Sequence, residues 1–350
     1  MSKSIALSIL VLSSFLVSIV VLEVSVRVLI IPFSLKKLEY FSIENGKLPF
    51  FKLVEEFHSD TINIIHGRRE LAKRGDRAHR VAFIGDSVTF GSGVNDEKSF
   101  VEQIQTGQNI FDAYNLGVPG YGLPEIESVV NTMQHKAYDA VVYTFSANDS
   151  YTAMAGLLPL LTNNSNRFLS IEDFQGGYGL IKQFTKDHFK SLILIKSAIG
   201  QLNIDDKQST IVNSETSNHL NCYETKKFHA HSQAIQTNYQ VTNQIYSNPV
   251  YLNSVKKRLR RIRDRVKLIG SKFILSAAHD FPMVDNNNRL FNIALQNIAL
   301  DLTIPFIDTF DVYSQNYKQC GFYVDPGHPG VLGSTLLAQK IISELSELKL

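Results

Sequence analysis

Residues 80–91 read Arg-Val-Ala-Phe-Ile-Gly-Asp-Ser-Val-Thr-Phe-Gly. An apolar, β-branched run of strand length stops at Gly85-Asp86-Ser87, and a glycine-rich segment leads into a helix-like pattern around Phe100, Val101 and Ile104. Ser87 is thereby placed at the C-terminal end of a strand. In an open α/β sheet that edge holds the ligand, and the turn and helix that follow present backbone N–H groups to it. Gly, Asp and Ser also build ordinary turns, so the tripeptide alone does not separate a nucleophile from a bend.

The far end of the chain supplies what a serine needs. Tyr323-Val324-Asp325-Pro326-Gly327-His328-Pro329-Gly330 precedes an amphipathic run from Val331 to Leu348. Asp325 and His328 are close enough for the carboxylate to accept from one imidazole nitrogen and leave the other as a base. A serine becomes a nucleophile only with such a base.

Strand and helix patterns alternate between these two ends. Phe111 to Leu116 reads as a strand, Pro124 to about Lys136 as a helix, and Ala140 to Phe145 as a third strand whose unbroken apolarity suits burial on both faces. Pro249 opens a helix through Ile269, Phe273 to Ala278 is a fourth strand, Asn288 to Leu300 a helix, and Ile304 to Asp308 a fifth strand placed at an edge by Pro305. Pro329 suits the first position of the terminal helix.

Four segments in this order resemble the SGNH (GDSL-type) hydrolase family. Gly85-Asp86-Ser87 resembles the block that carries the nucleophile, and Asn115-Leu116-Gly117-Val118-Pro119-Gly120 the block whose last glycine lends a backbone N–H to an oxyanion. Ser146-Ala147-Asn148-Asp149 resembles the Gly-x-Asn-Asp block, whose Asn is a further oxyanion donor, with Ser146 where the family has Gly. Asp325-Pro326-Gly327-His328 resembles the block of acid and base. The resemblance implies a flavodoxin-like three-layer α/β/α sandwich on a mainly parallel five-stranded sheet. It implies Ser87, Asp325 and His328 as catalytic residues, and Ser87, Gly120 and Asn148 as the oxyanion hole. Asp86, Asp149 and His279 are expected to line the pocket. No cofactor and no metal is called for, and His219, His229 and His231 lack carboxylates at ligand spacing.

Outside this core the chain divides further. Residues 1–35 hold an apolar run, Ile5 to Leu22 and on through Val24 to Phe33, that exceeds the roughly 20 residues needed to cross a bilayer. A single transmembrane anchor is expected, with a cleavable signal peptide as the rival. Lys3 opposes Arg27, Lys36 and Lys37, so charge does not fix the orientation; the suspected function favours an extracytoplasmic catalytic domain. Residues 36–79 read as a basic, solvated juxtamembrane connector and 80–350 as the hydrolase domain. Residues 151–248, rich in Asn, Gln, Ser, Thr and His, form an insertion within it, either a cap or a surface loop. Cys222 and Cys320 permit a disulfide without requiring one.

A formal net charge of +2 speaks for neither nucleic acid nor an acidic partner. The cations of the helix from Pro249 read as a solvated outer face, with an anionic glycan or membrane surface as the alternative. The expected activity is cleavage of an acyl ester through an acyl-enzyme on Ser87, on a small acylated molecule, a glycan or a lipid, with O-acetyl groups of surface or exported polysaccharide preferred. Alternatives are an acyltransferase of the same fold, a lipid-directed esterase and a retired binding module.

Overall fold

The computed structural model describes residues 40–43, 51–70, 74–75, 77–150, 239, 242–243 and 245–348. Most of these lie in one compact unit formed by Ser42–Thr152 and Gln208–Leu350. The apolar N-terminal run, Cys222, the three histidines near it and most of the 151–248 insertion lie outside the described residues. Among the described residues no helix is long and apolar enough to cross a membrane.

Five parallel strands form the main sheet: β1 (His79–Gly85), β2 (Phe111–Gly117), β3 (Ala140–Ser146), β4 (Lys272–Ala278) and β5 (Phe306–Ile307). Their spatial order is β5-β4-β3-β1-β2, with Gly85 opposite Gly117 and Thr144, so β1 and β2 end at one level and β3 runs two residues further. Chain order reverses at β1, between β2 and β3, and such a switch point is where crossovers diverge and leave a crevice. Continuous burial of Val81–Gly85 and Ala140–Ser146 fits strands covered on both faces.

The strand period of two divides the core. Val81 and Phe83 of β1 and Val142 of β3 face Phe100, Val101 and Ile104 of α2 (Phe100–Gly107) and Leu337, Ile341 and Leu345 of α8 (Val331–Glu347). On the other face lie α3 (Leu123–Thr132), α4 (Pro249–Leu268) and α6 (Leu290–Asp301), burying Ile126, Val130, Leu259, Ile262 and Val266. The three-layer architecture is therefore as expected. Three short helices complete it: α1 (Ser87–Phe90), α5 (Phe281–Asp285) and α7 (Phe310–Asn316).

Edge strands need protection because their unpaired groups invite further pairing. On β2, Ala113 N–H donates to Gln105 Oε1 (2.8 Å), and the Ala113 and Phe111 carbonyls accept from Arg74 Nε (2.9 Å) and Arg77 Nη1 (2.8 Å). At the other edge β5 is two residues long, shorter than the expected 304–308 run. Pro305, with no N–H to offer, directs only its carbonyl to Leu275 N–H (2.9 Å).

The segment read as a connector contributes a three-stranded antiparallel sheet, Glu56–His58, Asn63–Ile65 and Arg68–Arg69, to the same unit. Arg69 is not a solvated cation. It is 2% exposed, and its guanidinium donates to Asp96 Oδ1 (2.6 Å) and to the carbonyls of Phe90, Gly91, Thr61 and Val94. Burial is tolerable because Asp96 neutralises it and every donor is used. The staple fixes the Phe90–Asp96 loop that follows the Gly-Asp-Ser turn.

The cations of α4 are largely spoken for within the fold. Arg258 and Arg261 share Glu127, Lys256 meets Asp301, and Arg263 reaches Asp264 and the Leu302 carbonyl. Cys320 is disulfide-bonded. Pro329 does not open α8: Tyr323–Asp325 and His328–Pro329 pair as an antiparallel hairpin, Gly330 N–H donates to Phe322 O (2.7 Å), and the helix begins at Val331. Pairing holds Pro329 extended, which delays the helix by two residues.

Candidate active site

Ser87 is the first residue of α1, directly after β1. Gly85, two residues earlier, has φ +155°, and a Cβ there would lie 2.2 Å from Thr89 Oγ1 and 2.8 Å from the Thr144 carbonyl. No larger residue fits. Asp86 caps α1 by accepting from Val88 N–H (2.9 Å), which turns the chain sharply and leaves Ser87 partly exposed at the sheet edge.

Across 241 positions of sequence, His328 meets it: His328 Nε2 and Ser87 Oγ are 2.9 Å apart. The hairpin that displaced Pro329 from the helix holds the imidazole. Asp325 accepts from the backbone N–H groups of Gly327 (2.8 Å) and His328 (3.0 Å), and both its oxygens lie 2.9 Å from His328 Nδ1. A carboxylate can only accept here, so the proton is assigned to Nδ1, and Nε2 of the neutral ring is the acceptor for the Ser87 hydroxyl.

Burial pulls the His328 pKa down, but attraction to Asp325 and their hydrogen bond outweigh it, with Asp86 and Asp280 adding to the effect. The result is about 9. Asp280 follows β4 and stays half-buried. Desolvation and the nearby Asp86 charge raise it to about 7, against the pull of His328.

The expected oxyanion donors other than Ser87 come from the ends of β2 and β3, the two strands that flank β1. Val118-Pro119-Gly120-Tyr121 is a β-turn closed by Tyr121 N–H to Val118 O (3.1 Å), with Pro119 second and Gly120 third at φ +82°. That is a type II pattern, which needs the left-handed region at its third residue. Gly120 is exposed, and neither its N–H nor that of Ser87 donates a hydrogen bond among the described residues. Asn148 sits on a 3-10 turn, Ala147–Ser150, at the end of β3, and its Nδ2 donates to Asp86 Oδ2 at 3.3 Å.

Asp86, Asp149 and His279, expected along the pocket, are all buried. Asp86 is 1% exposed and acts as a hub, also accepting from Ser146 Oγ (3.0 Å) and approached by Ser87 Oγ (3.4 Å). Asp149 is fully buried beneath the turn, where Tyr143 OH (3.0 Å) and Ser146 N–H (3.1 Å) donate to its Oδ2. Desolvation and the Asp86 charge push its pKa well up. His279 is enclosed edge-on by Phe291, Phe310 and Tyr313 at 5.2–5.5 Å. Burial lowers it to about 3, and among the described residues neither ring nitrogen has a hydrogen-bond partner. It points into the core because strand alternation at the end of β4 turns it away from the edge that Asp280 reaches. Sequence marks Ser146 only as a departure from the glycine of the motif, and it is folding that gives its hydroxyl a partner in Asp86.

Among the described residues no group of His, Cys, Asp and Glu is arranged to hold a metal ion. A parallel sheet of this order places serine, imidazole and carboxylate in relay at its C-terminal edge, an arrangement able to activate the serine hydroxyl as a nucleophile.

No family model and no curated protein matches the chain. Among solved structures it is similar to a member of the lipolytic protein G-D-S-L family from Veillonella parvula DSM 2008, with 13% identity, 76% of this chain and 97% of that one covered, and a TM-score of 0.41. It is similar also to the lipase/acylhydrolase from Enterococcus faecalis, with 14% identity, 77% and 96% covered and a TM-score of 0.40. Phospholipase A1 from Streptomyces albidoflavus NA297 gives 9% identity, 77% and 99% covered and a TM-score of 0.42.

Proposed function

We propose that this protein is a membrane-anchored serine esterase with Ser87 as nucleophile, His328 as general base and Asp325 as the group that orients and charges-compensates the imidazole. The observation that carries the proposal is the continuous relay from Asp325 through Nδ1 and Nε2 of His328 to Ser87 Oγ, each step at 2.9 Å. A serine and an Asp–His pair 241 positions further along the chain are aligned as proton transfer requires.

In the first half-reaction Ser87 Oγ attacks the ester carbonyl carbon while its proton passes to Nε2. The tetrahedral intermediate collapses, its C–O bond to the alcohol breaks, and the alcohol departs with the proton from Nε2. Water then attacks the acyl-enzyme with His328 again as base, releasing the carboxylic acid and restoring Ser87. The N–H groups of Ser87 and Gly120 and the side-chain amide of Asn148 bind the oxyanion. Each is worth about 3 to 4 kcal/mol by analogy with measured oxyanion holes.

For localisation we propose an N-terminal signal anchor and an extracytoplasmic catalytic domain. The apolar run before residue 35 supports the anchor, and the disulfide at Cys320 supports an oxidising compartment. For substrate we propose O-acyl groups, acetyl above all, on surface or exported polysaccharide. An enzyme tethered on that side of the membrane meets such chains, and Ser87 is partly exposed.

Substitution Ser87→Ala should abolish hydrolysis of p-nitrophenyl esters and labelling by a fluorophosphonate probe while the unfolding midpoint stays unchanged. Activity retained in that variant removes the nucleophile. Acetate release from acetylated xylan or alginate, compared with cleavage of short- and long-chain acyl esters and phospholipid, tests the substrate. Preference for phospholipid overturns the polysaccharide assignment.

A further inference from the structure

Ser146 ends β3 and is 2% exposed, yet its side chain reaches out of its own strand. Its hydroxyl donates to Asp86 Oδ1 at 3.0 Å, a link across 60 positions between the end of β3 and the turn that carries Ser87. Its own N–H donates to Asp149 Oδ2 (3.1 Å), which Tyr143 OH also holds, so the backbone that enters the Asn148 turn is fixed. Ser146 is not among the residues with positive φ. The backbone there does not demand a glycine, and the hydroxyl is free to be used.

The two oxygens of Asp86 have different duties. Oδ1 accepts from Val88 N–H (2.9 Å) and from the Ser146 hydroxyl, whereas Oδ2 faces Asn148 Nδ2 (3.3 Å) and Ser87 Oγ (3.4 Å). The terminal torsion of an aspartate is broad and roughly two-fold, so a single donor locates one oxygen without fixing the plane of the group. A second donor from another strand fixes it.

We propose that Ser146 is a positioning residue for the oxyanion hole: by locking the plane of the Asp86 carboxylate, it makes Oδ2 hold one N–H of the Asn148 amide and leave the other directed at the oxyanion. The proposal rests on the reading of Ser87 as nucleophile and Asn148 as oxyanion donor. Its action passes entirely through Asn148. Without the hydroxyl, Oδ1 loses one of its two donors, the carboxylate turns, and the amide is no longer held in the direction where negative charge develops. Because that charge exists only in the transition state, the loss falls on kcat rather than KM.

The test compares Ser146→Ala, Asn148→Ala and the double variant in the full-length protein. It reads the rate of Ser87 phosphonylation by a fluorophosphonate probe, and kcat and KM on p-nitrophenyl butyrate. S146A is expected to slow both phosphonylation and kcat about tenfold with KM within twofold of the parent. The double variant is expected to be no slower than N148A alone, since coupled residues are not additive. Ser146→Gly, which also lacks the hydroxyl, should behave as S146A does and serves if the alanine variant fails to fold. Rates of S146A or S146G within twofold of the parent overturn the proposal. So does a double variant slowed by the product of the single losses, because a merely structural role would add independently. A parent enzyme whose Ser87 takes no label removes the functional reading and the proposal with it, whereas a labelled parent with an unaffected S146A removes the proposal alone.

Discussion

Replacing Asp325 with Asn changes few atoms and should nearly silence the enzyme. In the parent, Asp325 Oδ1 accepts from two backbone N–H groups, and both oxygens face His328 Nδ1 at 2.9 Å. An asparagine can keep its carbonyl oxygen on the two backbone donors, which turns its NH2 toward Nδ1. That nitrogen must then accept, the ring proton moves to Nε2, and the nitrogen facing Ser87 Oγ can no longer take its proton.

The electrostatic part of the loss follows from the imidazole itself. Raising His328 from 6.5 to about 9 in spite of burial corresponds to about 3 kcal/mol in favour of the imidazolium, the charge that forms as Ser87 attacks. At 1.36 kcal/mol per decade that is about 10²-fold in rate, and the wrong tautomer brings the total toward the roughly 10⁴-fold measured for the same exchange in another serine hydrolase. The pH profile separates the two contributions. Catalysis needs neutral imidazole, so kcat/KM of the parent should climb with pH until about 9. In D325N burial is opposed only by the Asp86 and Asp280 charges, and the ascending limb of the residual activity should move to lower pH. Initial rates on p-nitrophenyl butyrate from pH 5 to 10, with kcat and KM resolved, measure both. A variant within tenfold of the parent at every pH, or one whose ascending limb stays near 9, would refute the relay.

Two predictions concern stability. Arg69→Met deletes a buried guanidinium and leaves Asp96 with Asn63 as its remaining polar support, through Asn63 N–H and Nδ2, both at 2.7 Å; the cost should be about 3 to 5 kcal/mol by urea unfolding, and a loss below about 1 kcal/mol would mean that the N-terminal sheet does not brace the loop after Ser87. His279 is held neutral by burial, with a folded pKa of about 3 against 6.5 unfolded, so the unfolded chain alone binds its proton as pH falls from 6.5 toward 3. Stability should drop over that window by at most about 1.4 kcal/mol per pH unit from this group, and His279→Phe, which suits the aromatic surroundings, should remove that slope; an acid limb identical in parent and variant contradicts it.

The Gly-Asp-Ser turn could be read from sequence because its cause is local. An apolar strand ends, a glycine admits what no other residue can, an aspartate caps the next turn, and the serine is left at the edge. The Asp325-x-x-His328 spacing was legible for the same reason, since the carboxylate and imidazole share a hairpin of a few residues. Strand burial and the edge position of β5 followed from unbroken apolarity and from a proline.

What sequence alone left undecided was set by partners distant along the chain. Pro329 looked like a helix start until the hairpin with Tyr323 held it extended. Arg69 looked like a solvated cation, and only folding brought Asp96 and four carbonyls around it. His279 and Asp280 are neighbours in sequence, yet strand alternation sends one into an aromatic core and the other toward the sheet edge. The Ser146 hydroxyl acquires a purpose only when β1 and β3 lie side by side and Asp86 comes within reach. Local chemistry determined which residues were able to react, whereas long-range packing decided which of them meet, because a hydrogen bond or an ion pair depends on a separation in space that spacing along the chain does not encode.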